Sequence, residues 1–176
     1  MVRQRRRGWW RGILLLALAC ASPLFRCDRH STAGHGDPGS VAALGARVIE
    51  VTDGDTIVVE LPGGRIEDVR YIGINTPEST PDQPLECFGH EASAANRALV
   101  GGRSVSLSFG PELRDDYGRL LAYVRAGGVA VNAELVRRGY ARTLTIAPND
   151  ARAPALARLE AAAGRAGRGL WGACDT

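Results

Sequence analysis

Three β-branched segments follow one another in this chain with turns too short to hold a helix, and no other feature limits its architecture so strongly. Arg47 to Val51 and Thr56 to Leu61 flank Thr52-Asp-Gly-Asp55, and Pro62-Gly-Gly64 then turns the chain into Arg65 to Ile74. The Asp-Gly pair is a hairpin signal, and the Pro-Gly-Gly turn offers no side-chain bulk against reversal. The three segments therefore read as a meander, with the rest of the domain built outward from it.

Two further strands fit Ser104 to Phe109 and Arg119 to Arg125, the second ending at Gly127-Gly128, which brings the number of strands to five. A helical pattern begins near Gly89, carries Ala92, Ala95 and Leu99 along one side and stops at Gly101-Gly102. Asn132 reads as the N-cap of a second helix, with Val131 and Val136 as a hydrophobic staple and Gly139 as its terminator. A last helix runs from about Asp150 to Ala166, with Leu156, Leu159 and Ala163 on its apolar side and Arg152, Arg158 and Arg165 on a solvated one. Trp171 is expected to plug the tail into the core.

The first 22 residues differ from the rest: five arginines up to Arg11, an apolar run from Ile13 to Leu18, and then small residues. That is the three-part layout of an export signal, so residues 1–22 are expected to be a signal peptide directing the protein to the periplasm or the medium. Cys20 leaves lipid attachment open, and the apolar run leaves a membrane anchor open although it is short for a span. Residues 23–41, rich in Gly, Ser and His, read as a flexible linker, and residues 42–174 as the folded domain. Without the leader, 17 of the 22 arginines remain against all 19 acids, a net charge of −2. Net charge therefore supports no polyanion-binding role, and any anion site must be made by local placement of arginine, since the chain has no lysine. Cys27, Cys87 and Cys174 remain after such a cleavage; a Cys87–Cys174 bridge would tie the tail to the body, and free buried thiols are the alternative. There is no CxxC, and His30, His35 and His90 have no ligand spacing.

Three polar clusters fall at strand ends or turns: Asp53-Gly-Asp55, Arg70 with Asn75 to Glu78, and Asp115-Asp-Tyr-Gly-Arg119. Pro77 stiffens the exit from the third segment and biases Thr76 toward extended backbone, which holds Glu78 at a defined place. Each cluster alone has an ordinary structural reading. Together they supply what phosphodiester hydrolysis requires: carboxylate for a hard cation at Asp55, arginines for the phosphoryl oxygens at Arg70 and Arg119, and a base for water at Glu78.

Val51-Thr-Asp-Gly-Asp-Thr56, Arg70 through Glu78, Phe88-Gly-His-Glu-Ala-Ser93 and Asp116-Tyr-Gly-Arg-Leu-Leu-Ala-Tyr123 closely resemble the staphylococcal nuclease, or thermonuclease, family. Val131 to Ala141 and Gly169-Leu-Trp171 continue the resemblance, which covers roughly residues 44 to 174 in order. It implies an α+β, mainly β fold: an OB-fold five-stranded barrel with three helices. It also implies a calcium-dependent nuclease that acts on DNA and RNA and leaves 3'-phosphate ends; a monomer without a stable protein partner is a separate expectation, since the sequence carries no signal for oligomeric state. Carried over, Arg70, Glu78 and Arg119 fall on the catalytic positions, Asp55, Asn75 and the Thr76 carbonyl on the calcium ligands, and Tyr117 on a substrate-binding tyrosine. The chain departs from the family at Asn75, where Asp is common, and at Asp116 and Leu144, where lysine and tyrosine occur. The first removes a charge from the cation site and implies weaker calcium binding. A non-catalytic OB-fold module that binds nucleic acid is the alternative reading.

Overall fold

The computed structural model describes residues 43–174; the expected signal peptide, the linker, Cys20 and Cys27 lie outside them. The meander is present: β1 (Leu44–Val51), β2 (Thr56–Glu60) and β3 (Ile66–Tyr71) are antiparallel neighbours. The third expected strand is broken at Ile72-Gly73, with Gly73 at φ +82, so that β4 (Ile74–Asn75) leaves the barrel and pairs elsewhere. Helix α1 (Gly89–Val100) leads to β5 (Ser104–Arg114), which runs antiparallel to both β1 and β6 (Leu120–Ala126). Strand β6 then pairs in parallel with β3, setting Arg70 opposite Leu121, and closes the five long strands into a barrel. This is the five-stranded mixed barrel of the OB type that was expected.

The closure explains why β5 extends to Arg114, five residues beyond the predicted end. Gly110 lies against Asn149, where a Cβ would stand 2.0 Å from the amide oxygen. The Asn149 side chain donates to the Glu112 carbonyl at 2.9 Å and accepts from the Glu112 N–H at 3.1 Å, standing in for a strand partner. The extended strand then carries Arg114 to Glu67 on β3, with two contacts of 2.9 Å.

The remaining elements are β7 (Val129–Ala130), α2 (Val131–Arg138), β8 (Arg142–Thr143), α3 (Ala153–Arg165) and a single turn, α4 (Leu170–Ala173). Val48, Ile57, Val59, Val69 and Leu107 of the barrel form one buried cluster with Val100 from α1 and Val131, Leu135 and Val136 from α2. Burial of each such side chain contributes about 1.5–3 kcal/mol. Asn132 is not an N-cap. It lies inside α2, buried, donating to the Ile72 carbonyl at 2.9 Å and accepting from the Val124 N–H at 2.9 Å. The frayed barrel rim has backbone groups that need a partner, and the amide serves them instead of the helix end. Nor is Trp171 the plug: Leu170 is buried, and Trp171 is half-buried beneath the Arg142 guanidinium, 4.3 Å from its ring.

Candidate active site

The turn between β1 and β2 is shaped by close approach rather than by left-handed backbone. Gly54 has no positive φ; it is glycine because a Cβ there would stand 2.6 Å from Thr76 Oγ1. With that contact made, the Thr76 N–H reaches Asp55 Oδ2 at 2.7 Å and the Asp55 carboxylate is fixed from the side of β4. Asp53 steadies the same turn, accepting the Asp55 N–H at 2.9 Å through Oδ1. Its carbonyl accepts from Asn96 on α1 at 2.9 Å, and Asn96 in turn accepts from the Tyr71 hydroxyl at 2.9 Å. Asn96 was not anticipated, yet it stands four residues from both Ala92 and Val100 on the buried side of α1, where a polar side chain needs a partner.

Arg70 leaves β3 toward these groups and is largely enclosed. Its Nη1 contacts Asp55 Oδ2 at 3.1 Å and donates to the carbonyls of Ile74 at 2.9 Å and Tyr71 at 3.1 Å. Its Nη2 donates to Asn75 Oδ1 at 2.7 Å. Among the described residues Nε has no acceptor and Nη2 has only Asn75, which leaves guanidinium N–H groups free for an anion. Asp55, Asn75 and Thr76 thus converge with Arg70 as one bonded unit.

Arg119 arrives by a different route. The parallel pairing puts Arg70 opposite Leu121, and Arg119, two residues earlier, falls on the same side. Asp115 accepts the backbone N–H groups of Tyr117 at 3.1 Å and Arg119 at 2.9 Å, and pairs with Arg119 Nε at 2.8 Å. Both Nη groups of Arg119 have no acceptor among the described residues. Arg70, Arg119, Tyr117, Leu121, Leu144 and Ile146 help to line one cleft of about 480 Å³. Tyr117 is 85% exposed, and the Arg119 guanidinium carbon lies 5.4 Å from its ring centre.

Glu78 is not among the cleft-lining residues. Burial raises its pKa from the ordinary carboxylate value, with Asp53 and Glu86 acting in the same direction, while Arg70 and Arg119 pull it down. The carboxylate therefore feels both arginines at once. Asp55 is pushed up to about 6, chiefly by burial; Asp53 adds to the rise, and Arg70 and the Thr76 hydrogen bonds oppose it.

The donors near Asp55 fit a hard divalent cation. All the expected ligands are oxygens: the Asp55 carboxylate, the Asn75 amide oxygen that also accepts from Arg70, and the carbonyl of Thr76, whose N–H is bonded to Asp55. Burial outweighs the Arg70 guanidinium in setting the Asp55 pKa, and the carboxylate oxygen turned away from Arg70, Oδ1, has only a long contact with Thr56 Oγ1, at 3.3 Å. No three His, Cys, Asp or Glu side chains cluster as a metal site among the described residues, so the set depends on neutral oxygens. The described structure also joins Cys87 to Cys174, with Cα atoms 6.0 Å apart.

Residues 68–173 match the family model described as Staphylococcal nuclease homologue. The chain is similar to the Thermonuclease of Staphylococcus intermedius, 34% identical over 140 residues that make up 79% of this chain and 83% of the relative. It is 38% identical over 104 residues to the Thermonuclease of Staphylococcus hyicus, covering 58% of this chain and 61% of that one. With Endonuclease YncB of Bacillus subtilis it shares 41% identity over 92 residues, 51% of this chain and 43% of the relative.

Proposed function

The chain belongs to the staphylococcal nuclease family, and from that premise we propose that it is an exported, calcium-dependent nuclease hydrolysing DNA and RNA to 3'-phosphate ends. One observation carries the reading: two arginines with unused N–H groups face one cleft, and a partly buried carboxylate lies within electrostatic range of both.

Arg70 and Arg119 grip the phosphate from two sides and meet the charge that builds on its oxygens as the reaction proceeds. Glu78 takes a proton from the attacking water, and its upward pKa shift is in the direction that makes it a better acceptor. As the water oxygen bonds to phosphorus, the bond from phosphorus to the 5' oxygen breaks, and that oxygen leaves with a proton from solvent. Asp55, Asn75 and the Thr76 carbonyl would hold the calcium ion, which supplies positive charge beside the phosphoryl oxygens when bound. Tyr117 offers an exposed ring at the cleft for a base to stack on. The leader-like residues 1–22 support export, and a Cys87–Cys174 bond suits an oxidising compartment. The protein acts as a monomer with nucleic acid as its partner.

Purified protein should degrade single-stranded DNA with calcium and stop on addition of a chelator, and Glu78→Gln should lower kcat by about 10²–10³ in a folded protein. A binding module without activity would instead retain an oligonucleotide equally with and without calcium and be indifferent to Glu78→Gln. That result would overturn the proposal.

A further inference from the structure

Between Glu78 and Glu86 the chain makes an excursion through Ser79-Thr-Pro-Asp-Gln-Pro-Leu85 that contains neither helix nor strand. Among the described residues its one internal backbone bond runs from the Gln83 N–H to the Thr80 carbonyl, at 3.3 Å, and Leu85 is exposed. A segment so sparsely bonded opens locally at little free-energy cost.

Its two ends are built differently. The Glu86 N–H donates to the Glu78 carbonyl at 3.0 Å, and the Glu78 N–H donates to Glu86 Oε2, also at 3.0 Å, a reciprocal pair that closes the neck of the excursion. Gly89 sits directly against it: its N–H bonds the Glu86 carbonyl at 3.0 Å, and a Cβ there would stand 2.2 Å from the Glu78 carbonyl oxygen. Beside the neck, Cys87 is bonded to Cys174 near the C-terminus. Phe88 has a φ of 73°, a conformation a bulky side chain rarely takes, and its ring stacks on Tyr140 with centres 5.4 Å apart. Such backbone persists only where the surroundings over-determine it.

We propose that Glu86 is a positioning residue for Glu78, and that the neck it closes, tied to the C-terminal tail by Cys87–Cys174, fixes where the Glu78 carboxylate stands relative to Arg70 and Arg119. The inference rests on the reading of Glu78 as the proton acceptor. Glu86 works through the Glu78 amide rather than on substrate. With the neck open, the freedom of residues 79–85 would pass directly into the Glu78 backbone, and a displacement of about 1 Å in a reacting group can cost about 10²-fold in rate.

The test compares the parent with Glu86→Ala and Glu86→Gln, measuring kcat and KM on single-stranded DNA at saturating calcium and hydrogen exchange at the Glu78 amide. Glu86→Ala removes the acceptor and is expected to lower kcat about tenfold, leave KM within about twofold and speed exchange at Glu78. Glu86→Gln keeps an oxygen in place and is expected to bring kcat back to within about threefold and to slow the exchange again. Parental kcat in Glu86→Ala, or a Glu86→Gln protein as slow as Glu86→Ala, overturns the proposal. The double variant Cys87→Ser with Cys174→Ser should show the same split of kcat from KM, and an unchanged kcat overturns the tether. The two readings separate cleanly. Glu78→Gln with parental kcat overturns the role given to Glu78, whereas parental kcat and exchange in Glu86→Ala, beside an inactive Glu78→Gln, overturns only the neck.

Discussion

Arg70 and Arg119 look into the same cleft, and the protein holds them by opposite means. Arg70 has a side chain 13% exposed and is fixed by groups from three stretches of chain: Asp55 from the β1–β2 turn, the Tyr71 carbonyl at the end of β3, and Ile74 with Asn75 on β4. Arg119 is 31% exposed and is held by Asp115, four residues earlier in the same loop. The first geometry exists only when the barrel is closed, whereas the second is made within five residues by a carboxylate that accepts two backbone N–H groups. One arginine is therefore part of the fold, and the other is placed on it.

Replacing each by alanine should separate the two most sharply. Arg70→Ala leaves the Asp55 carboxylate buried without its counter-charge, which costs about 3–5 kcal/mol in addition to a loss of about 10²–10³ in kcat. Arg119→Ala should lose activity on the same scale but less than about 1 kcal/mol of stability, because its ion pair is partly solvated. Urea unfolding and single-turnover cleavage of both variants measure the difference, and equal stability costs would break the comparison.

The same contrast marks what could be read from the sequence. The five strands and three longer helices were legible because each carries its own signal: β-branched runs, Pro-Gly-Gly and Gly-Gly turns, and apolar residues at helical spacing. The residues of the Asp115 to Arg119 loop were legible for the same reason, as all their partners are local. The Arg70 unit was legible as a set of residues but not as a structure, since its bonds depend on the parallel β3–β6 closure and on the break at Gly73 that swings Asn75 back to the guanidinium. Gly54 passed for a hairpin glycine because close packing on a threonine 22 residues later leaves no local trace. Asn132 was misread because an Asn before an apolar helix normally caps it, and only the closed barrel reveals the unpaired Ile72 carbonyl and Val124 N–H it serves. Asn96 had a signal that was overlooked, a polar side chain in line with buried Ala92 and Val100.

Asn75 offers a finer test of the buried unit, because its amide oxygen accepts from Arg70 and would also face the cation. Asn75→Asp adds a full negative charge at that point, shared between Arg70 and calcium. The calcium concentration for half-maximal activity should fall about tenfold, roughly 1.4 kcal/mol, with kcat at saturating calcium within about threefold of the parent. A calcium titration that does not move would show that Arg70 takes up the whole of the added charge, and that the Arg70 unit and the cation site are separate.

The smallest effect is expected where an ion pair resembles that of Arg119 in spacing but frames nothing. Glu134 on α2 pairs with Arg137 and, four residues on, with Arg138, whose side chains are 49% and 51% exposed. The hydrogen bond from Arg137 is the largest of the influences that hold the Glu134 pKa down at about 2, with Arg138 adding to it. A carboxylate depressed in the folded state adds stability above its ordinary value near 4.5, and loses that contribution as the pH falls from there toward 2. Glu134→Gln should therefore cost less than about 1 kcal/mol at pH 7, nothing at pH 2, and leave kcat unchanged. Urea midpoints at the two pH values decide it. If this exposed pair proves as costly to remove as Arg70, then burial is not what distinguishes the two arginines of the cleft, and the number of bonds each makes must be.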